Sequence, residues 1–567
     1  MSGELEFKRW LASPALSETE RRELTAITDD ADEINARFFA PLPFGTAGLR
    51  GICGVGINRM NRHIVRWTTQ AFAEVLVENG GGEVVICFDS RHDSCAFSRC
   101  AAEVFAANGL RVRIFDDIRP TPELSFAVRR YGCAAGINIT ASHNTSEYNG
   151  YKLYGRDGAQ LPTDDSARVA ARMAQLDIFD SVRSIDYDDA VARGLIAEIG
   201  AETDEDYLAA VLDETTAPQE VSDVSDDLVV VYTPFHGAGR KLVPEALTRL
   251  GVRHLHCVAE QMRPDGNFPT VASPNPEIPE SFELAVALAE RVGASLIIGT
   301  DPDSDRIAAL VRNGAEYVHL SGHKTGVLML DYILTARKRV GRLPQNPVAL
   351  KTIVTTDMAR VVAEYHGAQC YSTFTGFKYM AERKREIEEI GCGTVVFSYE
   401  ESFGYMLSDT VRDKDAVAAA VVITEMAAHY QKRGMTLLDA LDALYARHGH
   451  YAEEAVSLVM PGLDGFFAMQ TLMKNLRSEP PHEIEGVRVV ATHDYEPEGS
   501  NVLRFDMEDG TAILIRPSGT EPKIKAYILA HSERNAQKAQ SDDCAATALR
   551  AEKYARWAKN LPPAASE

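Results

Sequence analysis

One plan repeats three times along the chain: apolar run, amphipathic segment, apolar run, amphipathic segment, apolar run. In the first copy these are EVVICFD, AFSRCAAEVFAANG, VRIFDD, PELSFAVRRYG and AAGINIT. LVVVYTP, RKLVPEALTRLG, VRHLHCV, SFELAVALAERVG and ASLIIGT form the second. PVALKTI, TTDMARVVAEYHG, AQCYSTF, FKYMAERKREIEEIG and GTVVFSY form the third. Unbroken apolar runs suit strands buried on both faces, and the segments between them are helical in period and mostly end on glycine. This rhythm restricts the chain to α/β units with largely parallel sheets. The C-terminal runs VRVVATHDYE, NVLRFDME and TAILIRP break the rhythm and predict an α+β domain with antiparallel pairing. Residues 1–40 read as charged helices. With 567 residues the chain exceeds what a single core serves. The expected division is 1–202, 203–321, 322–445 and 446–567: three related α/β domains and a C-terminal α+β domain.

The late strand of each unit runs straight into a polar loop. INIT leads to ASHN, LIIGT to DPDSD, VVFSY to EESFG, and in the fourth unit ILI leads to RPSGTEPK. Open α/β sheets bind ligands beyond the carboxyl ends of their strands. Four such loops, one per domain, can converge on one central cleft.

Each loop has its own chemistry. DPDSD spaces Asp301, Asp303 and Asp305 so that a short turn can aim three carboxylates at one hard cation such as Mg²⁺; a solvated acidic turn is the plainer alternative. RPSGTEPK has the makings of an anion nest, with Arg516 and Lys523 for charge, Ser518 and Thr520 for hydroxyls, and Gly519 for free amides. A tight turn with a helix cap would use the same residues. Glu400, Glu401 and Ser402 can read the hydroxyls of a sugar or simply sit in an exposed turn. Lys414 in RDKDA, and Lys378 beside Gly376 and Phe377 in TGFKYM, are cations near these loops or members of a solvated face. In TASHN, Ser142 is a poor nucleophile unless a base or metal activates it, and the loop reads equally as a helix-capping turn. Lys152 and His143 are the nearby groups able to move protons.

Composition bounds the partners. A net charge of −23 argues against nucleic acid or an anionic membrane as the main partner. An anionic ligand would need positive charge gathered locally against the field of the chain. Nine cysteines without a CxxC pair speak against a zinc knuckle and suit free thiols in a reducing cytoplasm. The start, MSGELEFKRWLASP, lacks the apolar core of a signal peptide, and runs such as AVAAAVVI are too short to span a bilayer.

Together FGTAGLRG, TASHN, DPDSDR, EESFG and RPSGTEPK, in this order, resemble the α-D-phosphohexomutase superfamily over roughly residues 40–530. EYNGYKLYGRDGAQ, PNPE and TGFKYM are most similar to its phosphoglucomutase and phosphopentomutase branch. The resemblance implies the four-domain phosphohexomutase architecture, with Ser142 as a phosphoserine whose phosphate shares one Mg²⁺ with Asp301, Asp303 and Asp305. It implies Lys152 as general acid or base, with His143 and Lys414 at the catalytic centre, and Arg50 and Arg306 on the transferring phosphate. Glu400 and Ser402 would hold sugar hydroxyls beside Gly376, Phe377 and Lys378. Arg516, Ser518, Gly519, Thr520 and Lys523 would grip the other phosphate. Two positions depart from the pattern: Thr145 replaces a proline and Ala416 a glycine. No histidine follows the sugar motif, where Gly404 and Tyr405 stand.

The implied activity is interconversion of glucose 1-phosphate and glucose 6-phosphate through glucose 1,6-bisphosphate, by a cytoplasmic monomer or homodimer. Mannose or pentose phosphates are alternative substrates. A glucose 1,6-bisphosphate synthase, a phosphatase and a silent sugar-phosphate binding protein are the rivals. Keeping Ser142, three aspartates and Lys152 together argues against the last, because binding alone needs no such set.

Overall fold

A computed structural model describes residues 3–45, 48–407, 409–460, 462–517, 523–533 and 540–561. The three repeats fold alike. In the first sheet, strand Glu83–Phe88 lies between the parallel strands Arg111–Phe115 and Ala135–Ile139. In the second, Val229–Thr233 lies between His254–Cys257 and Leu296–Thr300. In the third, Pro347–Thr352 lies between Gln369–Thr373 and Thr394–Glu400. The connecting helices are Ser94–Ala107 and Thr121–Arg130, Gly239–Leu250 and Glu283–Val292, Met358–Tyr365 and Phe377–Ile390.

Largely parallel sheets were expected, and the repeated strands do pair in parallel. Each unit then adds a strand that returns antiparallel: Tyr148–Tyr154, Ile307–Asn313 and Gly404–Met406. The polar loops are therefore the turns of hairpins, and a residue at each turn has positive φ: Ser142 (52°), Ser304 (52°) and Phe403 (66°). Left-handed conformations of this kind hold only where surrounding contacts impose them. The C-terminal sheet is antiparallel throughout, in the order His450–Val459, Lys523–Ser532, Ala512–Pro517, Leu503–Met507, Val487–Asp494 and Glu483–Ile484.

Burial follows a different grouping from the repeats. One hydrophobic core runs from Leu242 and Ile298 through Leu328 to Phe397 and Val421, joining the second and third units. At its centre helix Ala416–Gln431 is apolar on nearly every face, as a fully enclosed helix must be. The C-terminal unit has its own core, around Phe505, Ile513, Ile528 and Tyr554. It meets the third unit at a smaller patch where Ile353 and Val354 pack with Leu514, Tyr527 and Leu529. The N-terminal helices Gly3–Ala12, Glu18–Ala26 and Ala31–Phe38 join the core of the first unit through Phe7, Trp10, Leu24 and Phe38.

Asp415 caps the enclosed helix. Its Oδ1 accepts from the amide of Ala418 at 2.8 Å and from the Tyr207 hydroxyl at 2.7 Å. Burial pushes its carboxyl up to about 6. The folded chain thus binds this proton more tightly than the unfolded chain, where an aspartate titrates near 3.9. The group's stabilising effect is present below the unfolded value and is lost as pH rises through about 6. Asp415→Asn should therefore match wild type near pH 4 and become the more stable protein at neutral pH, by on the order of 2–3 kcal/mol at most. Calorimetric melting of both proteins across that range checks it; a difference that does not grow with pH would refute the burial argument.

Candidate active site

The hairpin turns of the first three units meet. Ser142 Oγ donates to Asp301 Oδ2 at 2.6 Å, joining the first unit to the second. Asp301, Asp303 and Asp305 are buried, and one oxygen of each lies within 4.8 Å of the others. Their turn is held by its neighbours: the amides of Asp305 and Arg306 donate to Asp301 Oδ1 at 3.1 and 3.0 Å. The amide of Ala238 donates to the carbonyl of Pro302 at 2.8 Å. Gly237 permits that approach, since a Cβ there would lie 2.4 Å from Pro302 Cα. The helix Thr121–Arg130 opens onto Asp303, whose carbonyl accepts from the Thr121 amide at 2.8 Å and whose Oδ2 accepts from the Thr121 hydroxyl at 2.9 Å.

Three close carboxylates need cations. Lys152 Nζ lies 2.7 Å from Asp303 Oδ2 and 3.2 Å from Asp305 Oδ2, and Lys414 Nζ lies 3.4 Å from Asp305 Oδ2. Burial would lower the pKa of Lys152, but Asp303 and Asp305 outweigh it and keep the ammonium charged. Burial opposes ionisation of Asp303 too, and the charge and hydrogen bond of Lys152 overcome it. Among the described residues no lysine pairs with Asp301; burial and repulsion from Asp303 and Asp305 raise it well above the usual carboxylate range. Asp303 Oδ1 and Asp305 Oδ1 are buried without a hydrogen bond among the described residues. Hard oxygen donors with lone pairs to spare fit a small divalent cation.

The EESFG residues join from the third unit. Glu400 is buried and raised by that burial, against the pull of Lys414 and Arg306, and Ser402 hydrogen-bonds to it. The amide of Ile307 donates to the carbonyl of Phe403 at 3.1 Å, tying this loop to the aspartate turn. Gly404 leaves room for Lys414, whose Cδ would be 2.3 Å from a Cβ there. The ring of Phe377 lies 5.0 Å from Lys414 Nζ. Glu401 turns away: its Oε2 accepts from Thr352 and Thr355 at 3.0 and 3.1 Å.

Matches to the phosphoglucomutase/phosphomannomutase family cover these parts in order. The α/β/α domain I matches residues 41–178, domain II 205–314, domain III 321–448 and the C-terminal domain 470–544. A phosphoglucomutase of Staphylococcus epidermidis is 36% identical over 508 residues, 86% of this chain and 90% of that protein. The chain belongs to the phosphoglucomutase/phosphomannomutase family. A phosphoglucomutase of Staphylococcus aureus is 34% identical over 516 residues, 87% of this chain and 90% of its own. Among solved structures, the fold is shared with a putative phosphomannomutase from Thermus thermophilus, with a TM-score of 0.69 at 21% identity over 91% of this chain and 99% of the other.

Within this phosphohexomutase frame the other expected residues fall into place unevenly. Arg50 Nη1 donates to Asn144 Oδ1 of the serine loop at 2.8 Å. His143 Nδ1 lies 3.2 Å from Ser142 Oγ. Burial, and then the charges of Arg306, Arg50, Lys525 and Arg91, hold that imidazole well below its ordinary range and so neutral. Lys378 Nζ donates to Thr163 Oγ1 of the first unit at 2.8 Å. Arg516 borders Tyr527 and Tyr379, so the fourth unit faces the TGFKYM segment. Lys523 opens strand Lys523–Ser532, and Ser518, Gly519 and Thr520 lie outside the described residues.

Three contributors escaped the sequence reading. Lys525 is the cross-strand partner of Arg516 and brings a charge of the fourth unit to His143. Asp413 is buried between units: Oδ2 accepts from the Tyr154 hydroxyl at 2.9 Å and Gln160 Nε2 at 2.8 Å, and Oδ1 lies 3.2 Å from Lys414 Nζ. Arg91 stands just past strand Glu83–Phe88, so the strand-end rule that found the other loops would have found it.

Asp303→Asn should weaken Mg²⁺ binding by more than about tenfold, the lower end of what losing even an outer-shell partner costs. Titration calorimetry with MgCl₂ and no substrate checks this. Unchanged affinity in a folded variant would reduce the three aspartates to a lysine-pairing turn.

Proposed function

We propose that the chain is a phosphoglucomutase that interconverts glucose 1-phosphate and glucose 6-phosphate, with Ser142 as the phosphoryl carrier and glucose 1,6-bisphosphate as intermediate and activator. The observation that carries the reading is Ser142 Oγ at 2.6 Å from the buried aspartate cluster, on a hairpin turn held in the left-handed region. The phosphoserine P–Oγ bond breaks as a sugar hydroxyl oxygen bonds to phosphorus. That hydroxyl gives up its proton, and Ser142 Oγ ends as a hydroxyl again. The bisphosphate then turns over in the cleft, and its other phosphate returns to Ser142. One Mg²⁺, held by Asp301, Asp303, Asp305 and the phosphate on Ser142, would supply charge neutralisation for the transferring group.

The chain's own groups do the rest. Lys152 is held protonated by Asp303 and Asp305, so it begins as an acid or charge stabiliser and is a base only after passing its proton on. Neutral His143, 3.2 Å from Oγ, can accept or relay a proton but adds no fixed charge. Arg306, next to Asp305, and Arg50, in strand Gly48–Ile52 and bonded to Asn144, stabilise negative charge on phosphorus. Glu400 and Ser402 take sugar hydroxyls, together with Gly376, Phe377 and Lys378. Arg516, Ser518, Gly519, Thr520 and Lys523 hold whichever phosphate is distal. A grip separate from the reacting site lets one cleft accept the sugar in both orientations.

Ser142→Ala should lower mutase turnover by several orders of magnitude, because the covalent route is lost. Intact-mass measurement should show wild type, but not the variant, gaining a phosphoryl group from glucose 1,6-bisphosphate. Near-wild-type turnover in the variant would overturn the reading. Among glucose 1-phosphate, mannose 1-phosphate, ribose 1-phosphate and glucosamine 1-phosphate, kcat/KM should be highest for the first. A clear preference for ribose 1-phosphate would make the enzyme a phosphopentomutase with the same chemistry, and a preference for glucosamine would refute the assignment of Glu400 and Ser402.

A further inference from the structure

The serine loop has few bonds of its own: the Ser142 amide donates to Thr140 Oγ1 at 2.8 Å, and the amides of Asn144 and Tyr148 donate to the carbonyls of Ala141 and Thr145 at 3.2 Å. Where the family pattern has proline this chain has Thr145, so no ring fixes φ there. Ser142 itself sits at φ 52°, a left-handed conformation that is unfavourable for an L-residue. A conformation of that kind needs support from outside the loop.

Arg91 reaches the loop's main chain from below. Its Nη2 donates to the carbonyls of Ser142, at 2.6 Å, and of Asn144. Its Nη1 donates to those of Thr145 at 2.7 Å and Tyr148 at 3.0 Å. Nε lies 3.2 Å from Asp89 Oδ2, and Asp89 Oδ1 is itself fixed by the Arg91 amide at 2.9 Å and the Ser94 hydroxyl at 2.8 Å. The guanidinium is buried, and its rigid fork is spent on one loop. A lysine would keep the charge and lose the fork.

A second unit covers the far side. The ring of Phe268 lies 5.0 Å from the Arg91 guanidinium, and Phe268 is buried at φ 49°, another enforced left-handed residue. It belongs to the segment 258–278 between strand His254–Cys257 and the 3-10 helix Pro279–Phe282. That segment is pinned onto the first unit. Asn267 Oδ1 and His92 Nε2 are 2.9 Å apart, and Gly266 runs so close to His92 that a Cβ would stand 2.5 Å from the His92 amide nitrogen.

We infer that Arg91 and Phe268 are a positioning pair that sets the main-chain geometry of the Ser142 loop and couples it to the second α/β unit, so that the phosphoryl group faces a sugar hydroxyl rather than water. The inference rests on the reading of Ser142 as the phosphoryl carrier. The two fates it separates differ only in the acceptor. Transfer joins phosphorus to a sugar oxygen and restores the serine hydroxyl; hydrolysis joins it to a water oxygen, releases inorganic phosphate and restores the same hydroxyl.

The test compares wild type, Arg91→Lys and Phe268→Ala after charging with glucose 1,6-bisphosphate. Amide hydrogen exchange over residues 141–148 should be faster in both variants. Loss of the phosphoryl group to water, followed by intact mass, should rise relative to transfer. In Arg91→Lys, kcat should fall roughly tenfold to a hundredfold while KM moves by less than about threefold, the signature of a misplaced reacting group rather than lost binding. Phe268→Ala should shift the same quantities less. Wild-type exchange and wild-type kcat in folded Arg91→Lys would overturn the inference. If Arg91→Lys does not fold, Phe268→Ala decides on the same readings, and no change in any of them overturns it. A wild type that takes no phosphate on Ser142 removes the carrier reading instead, and the exchange measurement still decides the pair.

Discussion

Everything near the cleft answers to one electrostatic demand, the burial of Asp301, Asp303 and Asp305 within 4.8 Å of one another. Two ionised carboxylates at that separation repel by about 3 kcal/mol even at an effective dielectric constant of about 20. The turn on its own would be unstable. It is relieved by Lys152 from the first unit and Lys414 from the third, and Lys414 is in turn matched by Asp413, which Tyr154 and Gln160 of the first unit hold. A ring of alternating charge thus passes through three units. Burial sharpens the demand, because it weakens screening by water and makes any unpaired charge expensive. The contacts that join the units here are also the contacts that build the site.

The same arrangement reconciles the cleft with the chain that carries it. At a net charge of −23 the molecule repels phosphate at long range. Close to His143 the sign reverses, since Arg306, Arg50, Lys525 and Arg91 all depress its basicity. These cations come from separate elements, so no basic run in the sequence advertises them.

Much of this was legible in the residues because it is local. Apolar runs gave the strands, terminal glycines the helix ends, and the strand-end rule gave the loops of Ser142, Asp301 and Glu400. What was not legible depends on long-range pairing. Tyr148–Tyr154, Ile307–Asn313 and Gly404–Met406 return antiparallel, which periodicity alone cannot distinguish from another parallel strand. Glu401 and Glu400 are adjacent and look alike, yet one serves Thr352 and Thr355 and the other the cleft, because neighbouring strand-end residues point to opposite faces. Lys378 was singled out by its company in TGFKYM, and its bond to Thr163, far away in sequence, could not be read from that company. Arg91 was missed only because the strand-end rule was applied to the last strand of each repeat and not to the first.

The division of the hydrophobic cores has a mechanical meaning. The second and third units share continuous packing, whereas the C-terminal unit keeps a core of its own and leans on the third through Ile353, Val354, Leu514, Tyr527 and Leu529. A tool built this way is a vice whose jaws are cast separately. One casting carries Asp301, the other Arg516, Lys523 and Lys525. A flaw in the packing around Phe505 or Ile528 falls on the second casting first, because the first does not share that core.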